Sequence, residues 1–445
     1  MTARIPRLQD NPAVPTLPPS FPPVVFVHGN GDTAGLWLTT VWRFESNGWP
    51  RDRLHALDLP YPCARDDDTV PQPGRTSSDA HRAFVAAEVA RVRTATGAAR
   101  VALVANSRGG YAVRNFLAAD GARQVSHAVL GGTPNHGVWT SATHRPGNEF
   151  NGAGPLLSRL NRPGPDGAEV VPGVAWLTLR SDGNDKYCQP HGHWLGEPQL
   201  ATGATAESPA LRGAVDTVLP GADHRETSFG PAAFAHTWAF LTGHPPGTRD
   251  IVPEAAPRLD GKVSGVGVDN RDGADPSNLP LAGARVTVWA TDPRTGARRG
   301  GPVHARTVGE DGLWGPFTAE PAQPYEFEVA ADGYATTHVY RAAFPRGSDL
   351  VHLRAQRLPR AEPDVLAHVS LSRPRGYFGH GRDQVELDGR HPPEVRPGVA
   401  GVSAAVVRVR DRAGRTVTAR FNDERLAGLA WPLAEGHVVL LELHH

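Results

Sequence analysis

The stretch VALVANSRGGYAVRN, residues 101–115, constrains the fold more than any other part of the chain. Val101 to Ala105 is an apolar run of strand length, and Gly109 to Leu117 reads as a helix. Ser107 stands between them. A serine at the apex of so sharp a strand-to-helix turn is pushed out of the sheet with its hydroxyl free. Such a turn closes only if the residues two before and two after the serine are small, because strand and helix nearly touch there. Ala105 and Gly109 meet that need in the pattern A-x-S-x-G, and Gly110 adds a second small residue at the contact. The simpler alternative is an ordinary strand–helix loop whose serine caps the helix.

The rest of the first half supplies a frame for that turn. Val24 to Val27 is an apolar strand ending in His28, Gly29, Asn30 and Gly31, a glycine-rich turn whose backbone N–H groups can face inward. Arg53 to Pro62 reads as the next strand, and Asp79 to Thr96 as a helix with Phe84, Val85, Val89 and Val92 on one face. Asp66, Asp67 and Asp68 between them read as a solvated loop in preference to a calcium site. Val125 to Leu130 is a further strand, closing on GGTPNHG. The segment 138–172 holds one short amphipathic helix with Leu156, Leu157 and Leu160. The segment 174–190 is a strand followed by two acids, Asp182 and Asp185. His191 and His193 just beyond have a spacing too sparse to imply a metal. Ala214 to Leu219 is the last strand, and His224 sits in the loop before a helix opened by Pro231. His236 falls mid-helix beside Trp238, where a packed imidazole is expected.

This combination resembles the α/β-hydrolases, and the lipases and esterases among them: a strand–serine–helix elbow, an HG turn after the first core strand, and a Ser…Asp…His order. The resemblance implies an α/β fold with a mostly parallel sheet over residues 22–243. It makes Ser107 the nucleophile, His224 the base with His236 in reserve, and Asp185 the acid with Asp182 in reserve. Asp185 to Pro190 is similar to the D-x-x-V-x-P form of the lipase acid segment. The N–H groups of Arg108 and Asn30 would bind the oxyanion, with Gly31 as the reserve donor. Residues 138–172 would be a cap or lid, with Trp139, Phe150 and Leu156 as candidate substrate walls; a helix simply packed on the core is the alternative. No metal and no organic cofactor is implied. The expected partner is an ester of an apolar acyl group, small or polymeric, met in solution or at a lipid interface. A polyhydroxyalkanoate-type depolymerase, an amidase or a peptidase would use the same triad. A hydrolase-like binding or adhesion protein without activity is the reading from another class.

Beyond a Pro-rich linker at 244–258, apolar residues alternate with polar ones in short strands separated by Gly, Asp and Pro turns, which predicts an all-β region. Residues 259–358 resemble carboxypeptidase-regulatory or transthyretin-like sandwiches, and 359–445 give a second β-rich piece, either its own domain or part of one larger barrel. Formal net charge is zero, which argues against a nucleic-acid partner, and no run approaches the ~18 apolar residues of a membrane span. The leader 1–21 is Pro-rich and lacks the apolar core of a secretory signal, leaving a cytoplasmic chain or one already processed. Cys63 and Cys188 read as unlinked thiols; a disulfide on one rim is the alternative and would mark an oxidising compartment.

Overall fold

Six parallel strands organise the N-terminal unit: β1 (Val24–Val27), β2 (Leu54–Ala56), β3 (Val101–Asn106), β4 (Val125–Gly131), β5 (Ala175–Ser181) and β6 (Val215–Leu219). They lie in the order β6-β5-β4-β3-β1-β2, so the chain steps outward from β1 to β2 and then returns past β1 to β3. The computed structural model describes residues 21–189, 192–194, 197–201, 204–208, 210–267 and 275–445, so His191 and the side chain of His193 lie outside it. It divides into two units, Met1–Asp250 and Ile251–His445.

Both faces of the parallel sheet are covered, and its central strands β1, β3 and β4 are buried at every position. On one face Val25, Val27, Leu103, Ala105 and Leu130 pack against α2 (Ser78–Thr96) and α3 (Arg108–Ala119) through Val85, Val89, Val92, Val113 and Phe116. On the other, Phe26 meets Trp37 and Phe44, whose ring also touches Phe234 and Trp238. Those residues join α1 (Leu38–Ser46) to α6 (Pro231–Thr242). Two shorter helices, α4 (Pro155–Leu160) and α5 (Glu226–Phe229), complete the unit. Caps fix the helix ends: Ser77 accepts from Ala80 N at the start of α2, and Gly243 takes φ +82° after α6. The Asp66–Asp68 loop is tied down by protein donors; Asp68 accepts from the N–H and hydroxyl of Ser78, and Asp67 from Thr69. Cys63 and Cys188 are not joined in a disulfide, and the Cys188 sulfur donates to Thr205 O at 2.8 Å.

The C-terminal unit is built on a seven-stranded sheet. Its members are β7 (Arg285–Ala290), β8 (His304–Thr307), β9 (Tyr325–Ala330), β10 (Thr336–Arg341), β11 (Ala367–Ser372), β13 (Ala404–Val409) and β16 (His437–Glu442), in the order β8-β7-β9-β10-β16-β11-β13. A three-stranded sheet of β12 (Val385–Leu387), β14 (Thr416–Phe421) and β15 (Glu424–Leu429) packs with it around Val369, Leu371, Phe378, Phe421 and Leu441. The closing strand β16 pairs in parallel with β10 on one side and β11 on the other. A buried apolar strand needs a ladder on both edges, and β16 finds one on each side of residue 358, in β10 and β11. Glu326, Glu328 and His338 each offer a metal-ligand atom within 4.8 Å of the others. Arg298 already supplies the cation there, 2.6 Å from Glu326 and 2.5 Å from Glu328, between the rings of Trp289 and Trp431. Among the described residues, no helix is long and apolar enough to cross a membrane.

Candidate active site

Ser107 lies at the carboxyl end of β3, beside the end of β1, where the reversal of strand order parts the loops and leaves a crevice. Its backbone, at φ 51° and ψ −122°, is in a region that few non-glycine residues occupy. The surroundings hold it there. Ser107 N donates to Gly131 O at 2.9 Å, and Ser107 O accepts from Gly110 N at 2.9 Å and the Thr133 hydroxyl at 3.0 Å. A Cβ on Gly109 would stand 2.6 Å from Val27 O and 2.7 Å from His28 O, so only glycine lets α3 start against β1. Ala105, where the usual elbow has glycine, is fully buried in β3 and leaves the turn formed.

Asp185 and His224 approach from the next two loops. Asp185 follows β5 in a tight turn, with Cys188 N donating to its carbonyl at 3.0 Å and Tyr187 N to its Oδ1 at 2.9 Å. Its Oδ2 faces His224 Nδ1 at 2.9 Å. The carboxylate can only accept, so Nδ1 carries the proton and Nε2 is left as the basic nitrogen. His224 sits inside a capping box: Asp223 Oδ1 accepts from the N–H of Arg225 and Glu226, and Glu226 Oε2 accepts from Asp223 N at 2.9 Å. Both Asp185 and His224 are buried, at 5% and 3% exposure. The ring of Tyr187 stands edge-on to the imidazole with centroids 4.5 Å apart, and burial pushes its hydroxyl up to about 12. Serine and histidine flank one bend. A Cβ on Gly132 would lie 3.3 Å from His224 Nδ1, and Asn106 Nδ2 bonds Gly131 O, Ser228 Oγ and, at 3.5 Å, His224 O. The Ser107 hydroxyl itself makes no hydrogen bond among the described residues.

Across the crevice, the turn after β1 is locked by His28. Its Nδ1 donates to Gly29 O at 2.9 Å and its Nε2 accepts from Leu59 N at 3.1 Å, a neutral form that burial favours by lowering its pKa. Gly29 lies so close to Ser107 that a Cβ there would stand 3.1 Å from that of the serine. The N–H groups of Asn30 and Arg108 have no acceptor among the described residues. Gly31 N is engaged by Pro62 O at 3.2 Å, and this removes the reserve donor.

Residues 22–158 match the family model described as the alpha/beta hydrolase fold, and residues 256–358 the one described as the lipase C-terminal domain. The N-terminal unit has the α/β-hydrolase fold. Solved structures similar to the chain include lipase B of Aspergillus fumigatus, at 16% identity over 52% of this chain and 57% of that one, with TM-score 0.35. Mature lipase BlEst2 of Bacillus licheniformis is 18% identical over 52% of this chain and 96% of its own, with TM-score 0.33. Phospholipase PlaB of Legionella pneumophila is 13% identical over 77% and 96%, with TM-score 0.33. The chain thus spans little more than half the length of the Aspergillus protein. No curated protein sequence matches it.

Within this hydrolase unit, several expected residues stand elsewhere. Asp182 is exposed and accepts from Gly221 N at 2.9 Å, so it ties the acid loop to the histidine loop without facing the imidazole. His236 is half-buried in α6, its pKa lowered by burial and then by Arg249. Leu156 is buried with Leu157 and Leu160 against Tyr111 and Phe150, and Arg114 bonds Leu160 O and Asn161, so the short helix is docked on α3 with its leucines covered. Trp139 is buried and donates to His144 O. Leu156, Phe150 and Trp139 thus pack within the 138–172 segment and on α3. A cavity of ≈ 160 Å³ lies beside Asp185, bounded by Thr133, Leu179, Tyr187, Cys188 and Leu211, while Ser107 and His224 are outside its wall.

Two ion pairs around the elbow were not foreseen. The Arg108 guanidinium is fully buried and grips Glu149 at 2.5 and 3.1 Å, with Pro62 O and Thr76 O as further acceptors. Arg225 donates to Asp32, joining the turn after β1 to the loop that carries His224. Only the capping box around His224 left a trace in sequence, as Asp223-x-x-Glu226.

Proposed function

We propose that the hydrolase unit cleaves carboxylic esters through Ser107, His224 and Asp185. The observation that carries this reading is the Asp185–His224 bond of 2.9 Å beside a serine held on a strained elbow. In this reading, His224 Nε2 takes the Ser107 proton as the oxygen attacks the ester carbonyl. Asp185 keeps Nδ1 protonated and stabilises the imidazolium that forms. The N–H groups of Arg108 and Asn30 donate to the tetrahedral oxyanion, and their lack of an acceptor supports that role. Collapse returns the proton from His224 to the departing alkoxide and leaves an acyl-serine, which water activated by the same imidazole then hydrolyses. The serine–histidine hydrogen bond of such sites often forms only with substrate in place. The likeness of residues 256–358 to a lipase C-terminal domain favours an apolar acyl group.

A fluorophosphonate probe tests the nucleophile: it labels the native protein and leaves Ser107→Ala unlabelled. Turnover of p-nitrophenyl esters from short to long acyl chains, with a polyester film alongside, then assigns the substrate class. Equal labelling of Ser107→Ala would end the proposal.

A further inference from the structure

Arg225 directly follows His224, and its guanidinium reaches to Asp32 in the turn after β1. The two side chains are only 15% and 10% exposed, so solvent and salt screen the pair little. Asp32 owes its place to that turn. Asp32 N donates to Gly29 O at 3.4 Å, and Gly31 takes φ +73° at the third position, as such a turn requires. Asn30 Oδ1 accepts from Ala64 N at 2.7 Å, which fixes the second position and leaves the Asn30 N–H without an acceptor among the described residues.

The Asp32 carboxylate also stands close to Ser107. The point where a Cβ on Gly29 would sit is 3.2 Å from Asp32 Oδ2 and 3.1 Å from Ser107 Cβ. Carboxylate and serine are thus separated by little more than the width of one methyl group. Such a charge opposes the reaction proposed above, whose tetrahedral intermediate puts a negative charge on the former carbonyl oxygen, beside the Asn30 N–H. Like charges on the order of 6 Å apart, at an effective dielectric near 20, shift an equilibrium by about a hundredfold. Asp185, Asp223 and the Lys186 ammonium share this neighbourhood. Asp185 is engaged by His224, and Asp223 accepts from the N–H groups of Arg225 and Glu226. Burial, and then the charge of Arg225, pulls Lys186 down to about 8, whereas the arginine stays charged throughout.

We propose, on the ester-cleaving reading above, that Arg225 is a positioning residue that pins and neutralises the Asp32 carboxylate, so that negative charge can develop on the substrate oxygen beside Ser107. It acts through Asp32 and does no chemistry of its own. A purely mechanical tie between the two loops needs both side chains intact. A charge-cancelling role needs only that the two charges be present together or absent together.

Phenylboronic acid separates these roles. It takes the serine oxygen onto boron, passes the serine proton to His224 and becomes a tetrahedral anion, whereas p-nitrophenyl butyrate binds as a neutral ester. Both are measured on the native protein, Arg225→Gln, Arg225→Lys, Asp32→Asn and the double variant Asp32→Asn/Arg225→Gln. Arg225→Gln should weaken the boronic acid and lower kcat by about 10–100-fold, with KM within about twofold of native. Arg225→Lys should restore most of both, and so should the double variant, in which no charge is left to cancel. Asp32→Asn leaves the guanidinium unopposed and should tighten the boronic acid severalfold, a gain that misfolding does not produce. Should Arg225→Gln fail to fold, Asp32→Asn therefore decides. A double variant as impaired as Arg225→Gln, or an Asp32→Asn protein that binds the boronic acid no tighter than native, would overturn the proposal. A native protein that neither binds the boronic acid nor labels at Ser107 would instead remove the ester-cleaving reading, and the proposal with it.

Discussion

Asp185 Oδ2 and His224 Nδ1 meet at 2.9 Å although 39 positions separate them in the chain. The bond fixes which imidazole nitrogen is basic, and Asp182, three residues earlier, cannot replace it because its carboxylate is held by Gly221 N. Asp185→Asn should leave the fold intact and lower kcat on p-nitrophenyl esters by roughly 10⁴, through the wrong tautomer. Asp182→Ala should stay within about tenfold of native activity. Steady-state kinetics of the two variants side by side check the assignment, and a reversal of their order would move the acid to Asp182.

The elbow and its frame were legible because local chemistry dictates them. An apolar run, a serine and two small residues admit few other turns, and the alternating pattern beyond residue 258 announces strands wherever they pair. The ladder order of the C-terminal sheet was not legible, since β16 returns from the chain end to lie between β10 and β11, and no local pattern encodes that partnership. The helix with Leu156, Leu157 and Leu160 shows the same limit from another side. Its amphipathic stripe is equally suited to a mobile lid and to packing, and its contacts with Tyr111 and Arg114, more than forty residues away, have no local signal. The Arg108–Glu149 pair left no signal at all, because a charged residue in a polar stretch reads as solvent-facing until its partner is known.

That pair gives the second prediction. Arg108 and Glu149 are 0% and 2% exposed, and the guanidinium also binds Pro62 O and Thr76 O, so one side chain ties the residue after Ser107 to three segments. Glu149→Ala leaves that cation buried without its counter-charge and should cost about 3–5 kcal/mol in urea unfolding. Replacing both residues with methionine should recover much of the loss, because the desolvation penalty disappears with the charges. A double variant no more stable than Glu149→Ala would show that the backbone acceptors, not the ion pair, dominate the contact.

The third prediction concerns the glycines of the elbow. A methyl on Gly109 would meet the carbonyl oxygens of Val27 and His28, which belong to the core strand and its end and cannot step aside. Gly109→Ala should therefore destabilise by about 1–3 kcal/mol and displace Ser107, so that fluorophosphonate labelling slows more than stability alone accounts for. Ala105 makes the opposite case. Ala105→Gly restores the common pattern but removes a buried methyl from a strand, and should cost about 0.5–1 kcal/mol with no gain in labelling rate. Faster labelling of Ala105→Gly would mean that the alanine strains the turn.

The fourth prediction follows from His127, buried in β4 with Nδ1 unpartnered and its ring edge-on to Phe240 at 5.3 Å. Burial, and then the charge of Arg100, lowers its pKa to about 4. In the folded protein the imidazole stays neutral down to that pH, whereas in the unfolded chain it takes a proton below about 6.5. The unfolded state therefore binds more protons between those values, and stability falls as pH drops through this window. Above pH 6.5 the contribution is constant; by pH 4 the loss from this one group reaches about 3 kcal/mol. His127→Leu, close in volume and unable to titrate, should match the native protein's slope above pH 6.5 and lose less stability below it. Urea unfolding at pH 7, 5.5 and 4 measures the divergence. Parallel curves would shift the acid sensitivity to His28, His81 and His444, whose pKa values burial also depresses.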